Sequence, residues 1–281
     1  MDSREVALLR KIRLETGKKI NTMFAGEYRS AFKGYGLSFD SVREYIPGDD
    51  VRSIDWNVSA RMNHLYIKEY IEERELSVVL LVDISASTHF GSGRSKRDVV
   101  LEFVTFMLHL AQMNNDRISV ILFSDRVEKY LKPKKGRKFV LKVLDEILMC
   151  RPEGRGTDML RALEFFQQVT KKRSIVFVIS DFLSMNHDDA MLRMKIISRR
   201  HDVIPVHVTD PMEKRMKISG LAEFTDLETG ESFLSDSIPE SSALPVTAGF
   251  ETVKLSTDEQ IEVPLLKFFT KRNRAALRGR G

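Results

Sequence analysis

The chain has 281 residues, 42% hydrophobic and 30% charged, which allows a sizeable core and excludes a disordered or fibrous protein. Its net charge of +5 sits at one end: residues 267–281 carry six basic groups and no acid, leaving about −1 for the rest and no broad basic field for nucleic acid. No apolar run approaches the ~18 residues that span a bilayer, the N-terminus has no secretory pattern, and the single cysteine, Cys150, excludes an intrachain disulfide or a Cys-built zinc site. The expectation is a cytoplasmic protein with no membrane span and no nucleic-acid partner.

Residues 1–75 predict an amphipathic helix over 5–19, then a stretch rich in Gly, Tyr and Arg with short strand-like pieces such as 65–68. With charges balanced and apolar residues dispersed, this segment is expected as an N-terminal extension packed on the main domain. Within it, the Arg, Asp and Trp mixture of residues 47–56 reads as an internal hydrogen-bond and salt-bridge network.

From residue 76 the pattern alternates strands and helices. Residues 75–82 form a nearly continuous aliphatic run, the signature of a strand buried on both faces. A helix over 98–114, a strand over 117–123, helices over 137–150 and 158–172, a strand over 174–180, a helix over 188–200 and a strand over 202–208 follow. That order predicts an α/β domain over 76–210, an open, mostly parallel, Rossmann-like sheet with helices on both faces. Ligands of such sheets bind outside the carboxyl ends of the strands. Residues 211–262 predict a β hairpin turning at 225–231, and 263–281 a solvated basic tail.

The first strand runs into Asp83-Ile-Ser85-Ala-Ser87, a carboxylate and two hydroxyls at alternate positions. The loops holding Gly156-Thr157-Asp158 and Ser180-Asp181 are expected at the same edge. Asp83, Ser85, Ser87, Thr157 and Asp181 then offer five oxygens with no nitrogen or sulfur, a set suited to a hard divalent cation, Mg²⁺ first and Mn²⁺ or Ca²⁺ after it. Three of the five are neutral hydroxyls, so the cation stays electrophilic and favours a carboxylate from another protein. The bland alternative is a strand-to-helix loop with capping hydroxyls. His89, near the expected site but without a second ligand beside it, reads as a surface residue or one that supports the metal ligands from behind, and Cys150 as a packed hydrophobe.

Asp83-x-Ser85-x-Ser87, Gly156-Thr157 and the strand-ending Asp181 resemble the metal-ion-dependent adhesion site of von Willebrand factor A domains. The whole chain is similar to a bacterial domain-of-unknown-function family encoded beside MoxR-type AAA+ ATPases. That likeness rests on Phe24-Ala-Gly-Glu-Tyr-Arg-Ser30, Val42-Arg-Glu-Tyr-Ile-Pro-Gly-Asp-Asp-Val-Arg52, Ile54-Asp-Trp56, Ala60-Arg61, Glu72-Glu-Arg-Glu75, Ile179-Ser-Asp-Phe182, Arg200-His-Asp202, Asp210-Pro211 and Asp226-Leu-Glu-Thr-Gly-Glu231. Departures at Ser38, Thr88 and Met216-Lys217 remove none of the expected metal ligands. The resemblance implies a von Willebrand A-like fold and a non-enzymatic, metal-dependent protein-interaction module. The implied role is adaptor or co-chaperone to a MoxR-like AAA+ ATPase, with an acidic residue supplied by the ATPase or its client. The alternative is a Mg²⁺-dependent, phosphatase-like hydrolase using Asp83, but the second Asp such enzymes place two residues later is Ser85 here.

Overall fold

The computed structural model describes residues 22–32, 37–72, 75–91, 93–154, 156–183, 186–215, 222–225, 232–235, 247 and 249–278. The helix expected over 5–19 lies outside them. The chain forms two compact units, one running up to Ala31 and resuming at Ser77, the other Phe32–Leu76. The first 75 residues therefore divide at Ala31, and helix α1 (Thr22–Ala31) belongs to the larger unit.

In the smaller unit, β1 (Leu37–Glu44) pairs antiparallel with β2 (Tyr66–Glu72). Between them lie a 3₁₀ turn, Val51–Ser53, and helix α2 (Trp56–Met62). The carboxylates of residues 47–56 are structural: Asp49 takes both guanidinium nitrogens of Arg43 at 2.8 Å. Asp50 caps the turn, and Asp55 caps α2 by accepting from Asn57 N at 3.0 Å. Trp56, by contrast, is 65% exposed.

The larger unit is a six-stranded sheet. Its elements are β3 (Ser77–Asp83), α3 (Lys96–Asn114), β4 (Arg117–Phe123), β5 (Val127–Lys134), α4 (Arg137–Met149), α5 (Met159–Val169), β6 (Ile175–Ser180), α6 (His187–Ser198), β7 (Asp202–Thr209), α7 (Met212–Arg215), β10 (Val253–Ser256) and α8 (Glu262–Arg278). The strand order is β10-β7-β6-β3-β4-β5, with only β5 antiparallel to its neighbour. The hairpin expected after residue 211 forms as β8 (Ala222–Thr225) and β9 (Ser232–Ser235), a separate antiparallel pair; its turn lies outside the described residues.

Alternation along the strands divides the core between the two faces of the sheet. Val79 and Leu81 of β3, Ile121 and Phe123 of β4 and Val176 and Val178 of β6 pack with Met159, Leu163 and Phe166 of α5 and Met194 and Ile197 of α6. The residues between them face α3, where Phe103 meets Phe177 edge to face at 5.8 Å. Helix α1 joins this second layer through Phe24 on Phe106 and Tyr28 on Phe269 of α8, and the Tyr28 hydroxyl donates to the buried Asp116 at 3.0 Å.

Three features depart from the sequence expectation, the first being β10, which lies within the segment 211–262 expected as a hairpin and instead pairs parallel with β7 in the main sheet. Strand β5 escapes the apolar-run criterion because it is an edge strand in which only Leu131 is buried, with lysines and Pro133 along it. The solvated tail over 263–281 is instead helix α8 as far as Arg278, and Leu265 and Phe269 on it are fully buried. The basic residues drew the reading, while Ile261, Leu265, Phe268 and Phe269 keep helical spacing and form a buried stripe.

Candidate metal centre

Strand β3 lies between β4, which follows it in sequence, and β6. The carboxyl end of β3 is thus the switch point of the sheet, where loops leave in opposite directions and open a crevice. Asp83 stands at that point, 1% exposed. Its Oδ1 accepts from Ser85 N at 2.9 Å, and its Oδ2 accepts from the Ser180 hydroxyl at 2.7 Å. Burial, followed by the negative charge of Asp181, pushes the Asp83 carboxyl up to about 6, against the opposing bonds from Ser180 and Ser85. Asp83 thus feels the charge of Asp181 in a buried setting.

The Ser85 and Ser87 hydroxyl oxygens lie 3.1 Å apart. The loop is held in this shape by Thr88, whose hydroxyl donates to Ser85 O at 2.7 Å as the chain enters a 3₁₀ turn, Ala86–His89. His89 bonds Arg97 at 3.2 Å on the exposed side, in keeping with a surface role.

Asp181, 3% exposed, follows β6 directly. The next residue, Phe182, takes a left-handed φ of 60°, rare for a residue with a side chain. This turn lets Leu183 N return to Asp181 Oδ1 at 3.2 Å. The other oxygen, Oδ2, accepts from the ammonium of Lys96 at 2.9 Å. Lys96 is 2% exposed and also pairs with Glu213. Burial pulls the ammonium down, but the combined charges and hydrogen bonds of Asp181 and Glu213 outweigh it and hold Lys96 above the ordinary lysine value.

Thr157 is brought to this edge by its loop. Asp158 N donates to Ser124 O, just past β4, at 2.8 Å, and the Asp158 carboxylate accepts from Asn186 Nδ2, in the loop after β6, at 2.8 Å. Gly154 opens the loop against the same strand end, where an added Cβ would stand 2.0 Å from Asp125 Oδ1 and 2.5 Å from Ser124 Oγ. Any larger residue there would have to displace the Asp125 and Ser124 side chains. The Asp83 segment and Asp181 come together at the carboxyl ends of β3 and β6 through their charges and the Ser180 bond, and Thr157 lies in the loop that Asp158 ties to the end of β4 and to Asn186.

Chemistry decides which ion this set fits. Among the described residues no cluster of three or more His, Cys, Asp or Glu side chains is placed to hold a metal, so a nitrogen- or sulfur-rich site is not present there. The Ser85 and Ser87 hydroxyls are hydrogen-bonded to each other at 3.1 Å, a spacing that two neighbouring ligands of an octahedral ion bound at 2.0–2.1 Å would also take, at about 3 Å. The repulsion between Asp83 and Asp181 is the kind a bound cation relieves. The donor set fits a hard divalent cation.

Three groups of this centre escape the sequence reading: Ser180, Lys96 and Glu213. Lys96 does leave a trace, since it is the first residue of α3, at the end where the helix dipole disfavours a cation. A lysine there needs carboxylate partners, but the sequence alone does not identify them.

The family model described as "Protein of unknown function DUF58" matches residues 41–243. Uncharacterized proteins of Mycobacterium tuberculosis and Mycobacterium bovis are each 27% identical over 296 residues, covering 99% of this chain and 93% of theirs. Among solved structures, the conserved hypothetical protein BatB of Bacteroides thetaiotaomicron aligns over 71% of this chain and 99% of its own at 12% identity and a TM-score of 0.47. An aerotolerance-related membrane protein of Bacteroides fragilis aligns over the same shares at 13% identity and a TM-score of 0.48. Those two likenesses are distant, and the fold assignment rests on the sheet itself. Among the described residues of the present chain no helix is long and apolar enough to cross a membrane.

Proposed function

The chain belongs to the DUF58 family, and on that premise we propose that it is a non-enzymatic protein-interaction module, cytoplasmic, whose docking point is the carboxyl edge of β3 and β6 loaded with a divalent cation. The observation that carries this reading is the convergence of the Asp83 carboxylate with the Ser85 and Ser87 hydroxyls, 3.1 Å apart, beside Asp181. Asp83, Ser85, Ser87, Thr157 and Asp181 would hold Mg²⁺ or Mn²⁺. Once bound there, the cation supplies an electrophilic point that takes an Asp or Glu carboxylate from a partner protein. The partner class, a MoxR-like AAA+ ATPase or its client, comes from the family resemblance.

The chain's own groups support docking over turnover. Asp83 is buried, with a hydrogen bond on each carboxylate oxygen, which restrains it as a nucleophile. Ser85 stands where a phosphatase of this type needs a second acid. Ser180 and the Ser85 amide orient Asp83, Thr88 orients the Ser85 turn, and Leu183 N orients Asp181. Leu183, one residue beyond Phe182, is 61% exposed, an apolar group at the rim of a polar centre and suited to contact with a protein surface.

The test is affinity capture by the wild type, Asp83→Ala and Asp181→Ala, each with Mg²⁺ and with EDTA, run beside a phosphatase screen. Capture that needs Mg²⁺ and both carboxylates is expected. Capture that is unchanged in EDTA overturns the metal-dependent reading, and phosphate release that disappears in Asp83→Asn replaces it with the hydrolase.

A further inference from the structure

The most deeply buried cation of the centre is Lys96, an internal ammonium beside a carboxylate meant for a metal. It is 2% exposed, it donates to Asp181 Oδ2 at 2.9 Å, and the remaining oxygen of Asp181 already accepts from Leu183 N. A divalent cation reaching Asp181 must therefore share that carboxylate with Lys96 or draw it away. The geometry also provides a second partner. Glu213 pairs with Lys96 through Oε1, while its Oε2 accepts from Asp210 N at 3.0 Å. Asp210 is itself fully engaged, taking Met212 N at 2.7 Å and the Thr257 hydroxyl at 2.5 Å. The acceptor for a retreating ammonium is thus anchored both to the end of β7 and to the segment after β10.

We propose that Lys96 is a positioning residue that sets the divalent-cation affinity of the Asp83/Asp181 edge by competing for Asp181, and that Glu213 draws it off. Resting on the metal-dependent reading above, this deepens it by making affinity a property of two residues outside the ligand set. Coulomb's law fixes the signs. Lys96 contributes a positive charge next to Asp181 in a poorly solvated place, so its field opposes a second cation. Glu213 contributes a negative charge on the far side of the ammonium, which weakens its hold on Asp181. Removing Lys96 should tighten metal binding and removing Glu213 should loosen it. A structural role alone would shift stability in both variants without opposite effects on affinity.

The experiment measures Mn²⁺ binding to the full chain by electron paramagnetic resonance, with melting temperature followed in parallel against MgCl₂. Lys96→Met, close in shape and uncharged, is expected to melt lower without metal yet bind Mn²⁺ roughly tenfold more tightly, or better. Glu213→Gln is expected to bind several-fold more weakly than wild type. Lys96→Met with unchanged or weaker affinity, while the wild type binds, overturns the proposal and leaves the metal reading intact. Absence of Mn²⁺ binding in the wild type and both variants overturns both, whereas binding in Lys96→Met alone supports competition by the ammonium. Should Lys96→Met fail to fold, Glu213→Gln decides: an affinity equal to or tighter than wild type sinks the proposal.

Discussion

The Ser180 hydroxyl donates to Asp83 Oδ2 at 2.7 Å, tying the ends of two neighbouring parallel strands through the carboxylate at the centre of the site. The same oxygen of Ser180 accepts from Phe182 N at 3.0 Å, so one hydroxyl fixes both the Asp83 rotamer and the left-handed turn that aims Asp181. Ser180→Ala should therefore cost about 1.5–3 kcal/mol, the range for a hydrogen bond to a charged group. It should also reduce the rise in melting temperature produced by Mg²⁺. Calorimetry with and without metal checks both. A variant that loses stability but keeps the full metal increment would show that Ser180 serves the fold and not the site.

Which parts of this centre are legible in the sequence follows from how local each signal is. Asp83, Ser85 and Ser87 lie at alternate positions just past a continuous apolar strand, and Asp181 follows another, so motif and context coincide within a few residues. The Lys96 to Asp181 pair spans 85 positions, and only the fold brings the partners together. Strand β5 and helix α8 fail for opposite reasons. The first is an edge, where burial is too slight to impose an apolar pattern; in the second, the basic residues around Phe268 and Phe269 masked a buried stripe.

His201 predicts how stability depends on pH. Its ring packs edge to face on Phe166 at 5.0 Å, and its buried Nδ1 finds no hydrogen-bond partner among the described residues. Burial, with the charges of Arg200 and Arg173, lowers its value from 6.5 to about 4. The unfolded chain takes up this proton as pH falls through 6.5 while the folded state resists it until about 4, so the stability contribution is complete above 6.5 and is lost between those values, by of order 2 kcal/mol. Asp83 acts with the opposite sign: raised to about 6 from 3.8, it contributes stability that is complete below 3.8 and lost as pH rises through 6. The difference in urea-unfolding free energy between wild type and His201→Phe, in metal-free buffer, cancels the Asp83 share. The stability of the wild type minus that of His201→Phe should fall as pH goes from 7 to 4. A difference independent of pH would mean that the ring titrates normally in the folded protein.

The C-terminal helix is part of the core, which changes what its basic residues are for. Arg272, whose side chain is 11% exposed, pairs with the equally enclosed Asp202 at the start of β7, donates to Ala31 O at 3.2 Å and lies over the ring of Phe268. Burial raises the Asp202 carboxyl and Arg272 opposes that rise, so taking the guanidinium away leaves a desolvated acid with its main counter-charge gone. Breaking one side of a buried pair costs about 3–5 kcal/mol, whereas replacing both partners with uncharged groups of similar volume costs much less. Arg272→Met should accordingly lower stability by about that amount, and Asp202→Asn combined with Arg272→Met should recover a large part of it. Deletion of residues 267–281 also removes the buried Phe268 and Phe269, so it should unfold the larger unit rather than merely strip charge. Chemical denaturation of the three variants separates the two roles. A well-folded deletion variant, or a double variant no more stable than Arg272→Met alone, would return the C-terminal basic residues to the status of a solvated appendage.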